Sequence, residues 1–164
     1  MKRHDSMRGW FAFELYNQMK VNPQIYLIVG DLGYKIFDNH FKDYPERTIN
    51  AGAAEQAMLD IACGLALEGK IPFVYSITTF LLYRPFETLR TYINKESIPV
   101  HLVASGRDFD YKHDGWSHHS PDAKGFLDLL PNIKQYWPET KEEIPSILDK
   151  MIKFNGPDFI SLRR

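Results

Sequence analysis

The chain has 164 residues, 20 of them basic and 21 acidic, for a formal net charge of −1. That length suits one domain with a real core, and the balanced charge excludes a global electrostatic attraction to nucleic acid or to an anionic membrane. A single cysteine, Cys63, excludes an intrachain disulfide and favours a reducing compartment. No run approaches the roughly 20 apolar residues of a membrane span, and MKRHDSMRGW lacks the apolar run of a signal peptide. The chain therefore reads as soluble and cytoplasmic.

Residues 6 to 20 predict an amphipathic helix, with Ser6 able to cap it and Met7, Trp10, Phe11, Leu15 and Met19 near one face. Asn22-Pro23 stops it. IYLIV, residues 25 to 29, has the unbroken apolar character of a strand buried on both sides. A connecting stretch leads to a short strand near Thr48 and Ile49. NAGAAEQAMLDIACGLALE, residues 50 to 68, then opens a helix with one glutamate, Glu55, in its first turn and Gly69 placed to end it. Cys63 reads as buried filler in that helix.

FVYSI, residues 73 to 77, is the next strand, followed by a helix from about Arg84 to Asn94. VHLVA, residues 100 to 104, looks like a third buried strand, and residues 105 to 125 form a long polar loop. NIKQYW supplies another strand and KEEIPSILDKMIKF a helix, with Pro145 tolerable only in its first turns. GPDFISLRR ends in a last short strand. Strands alternating with helices imply right-handed crossovers and a parallel sheet with helices on both faces, a single α/β domain over residues 1–164. Ligands of such sheets gather beyond the carboxyl ends of the strands. The Glu55 loop, the Ser76–Phe86 segment and the 105–125 loop would share that edge.

Glu55 alone is what a helix dipole favours in a first turn, and Phe80, Tyr83 and Phe86 alone could be core packing at helical spacing. Together, a lone carboxylate and a patch of aromatic faces suit a flat, nitrogen-containing ring. The run E-Q-A-M-x-x-x-A-x-G-L-A-x-x-G-x-x-P-F followed by T-F resembles the pyrimidine-binding domain of thiamine diphosphate enzymes of the transketolase family, which includes 1-deoxyxylulose-5-phosphate synthase. The likeness runs over roughly residues 25 to 164. It implies that Glu55 shares a proton with N1′ of the aminopyrimidine of thiamine diphosphate, favouring the tautomer that activates the cofactor. It also implies that Phe80, Tyr83 and Phe86 surround that ring, and their spacing fits transketolase better than the synthase.

The segment D-G-W-S-H-H-S-P, residues 114 to 121, resembles the family's D-G-x-T-H-Q. This implies substrate contacts from Asp114 and His118, with His118 a catalytic candidate beside Glu55. A related Q-H-S motif of 2-oxo-acid dehydrogenase beta subunits would align His119 instead. His113, Asp114, His118 and His119 also raise a metal site, but adjacent histidines rarely share one ion and no cysteine set accompanies them. Trp116 departs from the family's smaller or polar residue. Arg107, seven residues before Asp114, resembles a phosphate-contacting arginine of the synthase. Arg163 resembles a phosphate-binding arginine of transketolase. Planar guanidinium groups suit that task, and a structural salt bridge is the alternative for both.

In this family a second domain anchors the diphosphate through a divalent metal, using G-D-G and a later asparagine. The nearest string here, G-D-L-G at Gly30 to Gly33, lacks the third-position glycine, and Asn39 and Asn50 do not fit the spacing. Asp31 reads as a residue at the cofactor's pyrimidine end or as a turn residue. The resemblance thus implies a separate diphosphate-binding subunit holding Mg2+ or another divalent ion, two copies of each chain, and no C-terminal domain here. The implied activity is ketol or acyl transfer with C–C cleavage on a sugar-like substrate. Alternatives are a subunit of a 2-oxo-acid decarboxylating enzyme and a non-catalytic interaction protein on the same fold.

Overall fold

The computed structural model describes residues 2–164. Among these residues six strands, β1 (Ile25–Val29), β2 (Thr48–Asn50), β3 (Ile71–Ile77), β4 (His101–Ser105), β5 (Lys134–Tyr136) and β6 (Asp158–Leu162), form one sheet in the order β2-β1-β3-β4-β6-β5. Every pairing is parallel, with Leu27 opposite Thr48 on one side and Phe73 on the other. From β1 the chain winds first outward to β2, then back across to β3. That reversal opens a crevice between the carboxyl ends of β1 and β3, where ligands of open α/β sheets bind.

Among the described residues seven helices cover the sheet: α1 (Met7–Val21), α2 (Asp38–Asp43), α3 (Glu55–Leu67), α4 (Thr78–Tyr83), α5 (Phe86–Thr88), α6 (Ala123–Asp128) and α7 (Ile144–Lys153). A π-helical segment, Leu89–Lys95, continues α5. Successive strand residues point to opposite faces, so each central strand feeds two cores. Leu27, Phe73, Tyr75, Val103 and Ile160 meet Phe11, Leu15 and Met19 of α1 and Leu148 and Met151 of α7. Ile28, Val74, Leu102, Ala104 and Phe159 meet Met58, Leu59 and Ala62 of α3, with Leu89, Ile93 and Leu127 beside them. This two-sided burial is why the strands are apolar without alternation. Truncating a central residue such as Phe73 to alanine would cost about 3–5 kcal/mol.

The expected stops and caps are present. Ser6 Oγ accepts a hydrogen bond from the Gly9 N–H at 3.1 Å. Gly69, at φ 74°, donates its N–H to the Ala66 carbonyl and closes α3. Glu143 and Thr140 form a capping box ahead of α7, with Pro145 in its first turn.

Three segments differ from the sequence expectation. The helix after β3 starts at Thr78 rather than near Arg84. It breaks where Pro85 has no N–H to give the Leu81 carbonyl. The connecting stretch before β2 contains α2. The 105–125 loop holds a 3-10 turn at Trp116–His118 and runs into α6 at Ala123. Among the described residues, no helix is long and apolar enough to cross a membrane.

Candidate active site

The turn after β1 is organised by Asn50, the last residue of β2. Its Oδ1 accepts from the N–H groups of Asp31 (3.0 Å) and Gly52 (2.9 Å), and its Nδ2 donates to Asp31 Oδ1 at 3.2 Å. Asp31 also accepts from the Tyr34 hydroxyl at 2.9 Å. Donation by Asn50 and then Tyr34 holds the Asp31 carboxyl below the usual carboxylate range. Asp31 adopts φ 54°, a left-handed conformation that an aspartate tolerates. This clamp joins β1 to the loop that leads into α3, fixing where Glu55 begins the helix.

Glu55 is only 4% exposed, although it carries a carboxylate. Two things make that burial tolerable: its place in the first turn of α3, where the helix dipole favours an anion, and Arg84. Arg84 Nη1 donates to Glu55 Oε1 at 2.8 Å. The same guanidinium lies 3.6 Å from the centroid of the Phe80 ring. Arg84 thus links the Glu55 carboxylate to the face of the Phe80 ring at the carboxyl edge. One planar, N–H-donating group, the Arg84 guanidinium, already meets both Glu55 and Phe80, the chemistry that an aminopyrimidine would need.

The aromatic triad divides. Phe80 faces Arg84 and also meets the His118 ring edge-on at 4.9 Å. Tyr83, the last residue of α4, and Phe86, which opens α5, gather on Phe126 of α6 at 5.0 and 5.3 Å. The Tyr83 hydroxyl donates to Asp122 Oδ1 at 2.8 Å. Burial, followed by that bond to a carboxylate, pushes the phenol above its ordinary range.

The histidine loop is tied down on the same edge. Thr79 Oγ1 donates to the Ser117 carbonyl at 2.6 Å, and the Ser120 N–H donates to the Asp108 carbonyl at 2.8 Å. Of the two histidines, His118 is the one brought to Phe80. His119 packs its ring against Phe109 (5.2 Å) and Trp116 (6.1 Å). Asp114 lies 3.7 Å from Arg164, and Trp116 is 73% exposed at the loop surface. Among the described residues, no group of three or more His, Cys, Asp or Glu is placed to hold a metal ion.

Arg107 takes a different place from the phosphate contact its spacing implied. It is buried, and its guanidinium donates to Ser161 Oγ, the Ser161 carbonyl, the Pro138 carbonyl and Glu139 Oε1. It anchors β6 to the segment after β5, with its donors directed inward. Arg163 stays partly exposed, loosely between Asp110 (3.8 Å) and Glu139 (3.9 Å). Sequence reasoning missed Asn50, Phe126 and above all Arg84. The only local sign of Arg84 was its place in Y-R-P-F, inside the aromatic patch and just before a helix-breaking proline.

The chain resembles known proteins in sequence and in fold. The chain is 26% identical over 159 residues to an uncharacterized 33.6 kDa protein in the fasciation locus of Rhodococcoides fascians, covering 97% of this chain and 51% of that protein. It is 30% identical to a putative transketolase C-terminal section of Methanocaldococcus jannaschii over 75% of this chain and 39% of the relative. It is 31% identical to one of the subunits of apulose-4-phosphate transketolase from Actinobacillus succinogenes, over 74% of this chain and 39% of the relative. The chain thus spans about half or less of these relatives' length. A solved structure described as a split-gene transketolase, inactive beta4 tetramer, superposes with a TM-score of 0.85 at 28% identity, covering 98% of this chain and 52% of that one. Transketolase from Leishmania mexicana, at 20% identity and a TM-score of 0.86 over 99% of this chain and 26% of its own, shares the fold. With the model for the transketolase pyrimidine-binding domain matching residues 6–164, the chain belongs to that family.

Proposed function

We propose that this chain is the pyrimidine-binding subunit of a split, thiamine diphosphate-dependent, transketolase-like transferase. The observation that carries the proposal is that Phe80, at the sheet's carboxyl edge, meets both His118 and the guanidinium that pairs with the buried Glu55. When bound, thiamine diphosphate supplies a carbon nucleophile able to cleave and form C–C bonds beside a carbonyl. Glu55 would share a proton with N1′ of the aminopyrimidine and so activate the cofactor. Phe80, with Tyr83 and Phe86, would cover the ring and exclude water. Asp31 would lie toward the pyrimidine end.

His118 and Asp114, on the loop that Thr79 ties to α4, would hydrogen-bond the donor's hydroxyl or carbonyl oxygens and stabilise charge developing on oxygen. Arg163 remains available to a substrate phosphate at the edge, whereas Arg107 is committed to its internal bonds. A partner subunit would grip the diphosphate through Mg2+ or another divalent ion, in an assembly of two copies of each chain. The naming of one relative as a transketolase subunit and of a structural neighbour as a split-gene transketolase supports this division. Closed two-fold symmetry is the commonest way to build a shared interface.

Reconstitution tests the proposal. The purified chain would be mixed with candidate diphosphate-domain subunits, thiamine diphosphate and magnesium, and consumption of ketose or 2-oxo-acid donors followed. Turnover needing both proteins is expected, and transfer of a two-carbon ketol unit without carbon dioxide release would separate transferase from decarboxylase. A partner that binds cofactor and this chain yet consumes no donor of either class would count against the enzyme reading.

A further inference from the structure

Arg84 meets, from within the chain, both demands that the proposed ring site makes on a ligand. It donates an N–H to Glu55 Oε1 at 2.8 Å, and its flat cationic head stacks 3.6 Å from the Phe80 centroid. A guanidinium and an aminopyrimidine share the relevant chemistry: both are planar, nitrogen-rich and able to place a donor in the ring plane against a carboxylate. The two cannot use the same oxygen and the same aromatic face together.

The partners differ in exposure. Glu55 is fixed at the start of α3 with a side chain 4% exposed, whereas Arg84 reaches in from outside with a side chain 47% exposed. Arg84 follows the last residue of α4 and precedes Pro85, where the helix is interrupted. Its stem can rotate into water without moving a residue of the core. In the free chain it also spares Glu55 the cost of burying a carboxylate with no partner.

We propose that Arg84 is a positioning residue that serves as the chain's internal stand-in for the cofactor's aminopyrimidine. It occupies the Glu55 carboxylate and the Phe80 face in the free subunit and swings aside as the ring enters. This inference rests on the pyrimidine-site reading above. Its consequence is a reduced apparent affinity, because only the fraction of chains with Arg84 turned out can bind.

The test titrates the full chain with 4-amino-5-hydroxymethyl-2-methylpyrimidine, the cofactor's ring without thiazolium or phosphates, followed by NMR shifts. Arg84→Met is expected to bind about tenfold more tightly than the parent, as it would if Arg84 were turned out in about a tenth of the free chains. Arg84→Lys should fall between them, and Glu55→Ala should abolish binding. A merely structural arginine would move affinity the other way, since its loss would loosen the site. Thermal unfolding adds an independent readout: Arg84→Met should melt below the parent without ligand, and the gap should close as the pyrimidine saturates. Arg84→Gln provides a second, polar replacement should the methionine variant fold poorly. Binding that depends on Glu55 but is no tighter in either variant would overturn the stand-in alone. Absence of binding by every variant would overturn the pyrimidine-site reading with it.

Discussion

Two pairs that each contain a buried carboxyl group sit at opposite ends of one sheet. At the carboxyl edge, Glu55 pairs with Arg84, whose side chain is 47% exposed. At the amino edge, His101 Nδ1 and Asp158 Oδ1 meet at 2.8 Å with side chains 2% and 0% exposed. They are register partners at the first residues of β4 and β6, and His101 stacks on Phe73 at 4.6 Å. Burial holds the Asp158 carboxyl above its usual range, against the opposing bond from His101. The contrast lies in access. Both ends of the second pair are locked into strands, so it can only hold the fold. One end of the first pair is half-exposed, and under the proposed reading it would leave and offer the carboxylate to a ligand.

The strongest way to break this comparison is Glu55→Gln. In the reconstituted enzyme it should lower turnover by roughly 100-fold or more, the scale of a lost acid–base contribution. The folded chain should be preserved, with an unchanged circular dichroism spectrum. If Glu55→Gln unfolds the chain, the carboxyl-edge pair is structural after all. Asp158→Ala should do the reverse. Removing one member of a buried pair costs about 3–5 kcal/mol, readable as a lower urea midpoint, while pyrimidine binding in the remaining folded protein stays at the parent value.

His40 sharpens the comparison as a buried titratable group on α2, away from both pairs. Burial lowers it from 6.5 to about 4. The unfolded chain therefore takes up this proton at higher pH than the folded one. Stability should fall as pH drops from about 6.5 to about 4, by about 3 kcal/mol in all. His40→Leu should flatten that part of the stability–pH curve, and an unchanged slope would show that other groups govern it. The smallest effect is expected at Trp116, exposed on the histidine loop. Trp116→Ala should change unfolding free energy by no more than about 0.5 kcal/mol and show itself only in KM for the acceptor. A large loss of stability would place Trp116 in the fold rather than at the mouth of the site.

Much of the fold was legible because the signals are local and redundant. The runs at 25–29 and 100–104 are apolar on both faces, Gly69 ends α3, and Ser6 starts α1. The segments that escaped are short or ambiguous. Thr78-Thr79 directly after a strand looks like more strand, since β-branched residues favour it, yet α4 begins there. At six residues, α2 and α6 are too short for periodicity to mark them.

Of the residues the family pattern marked, Glu55 and Phe80 are brought by the fold to one guanidinium. Arg84 was not legible in the sequence, because its role needs two positions 29 apart to meet across the crevice. Nor does the spacing of Arg107 from Asp114 disclose that its donors turn inward onto β6. Position along a chain carries a motif; which way a side chain points is decided by packing.

The central claim, that Glu55 activates the cofactor, is tested most directly by the rate at which the C2 proton of thiamine diphosphate exchanges with deuterium. The complex of this chain with its diphosphate-binding partner would be quenched at intervals and read by NMR. The account expects exchange far faster than for the free cofactor, falling back toward the free rate in Glu55→Gln although the cofactor still binds. Equal exchange in the parent and the variant would contradict it.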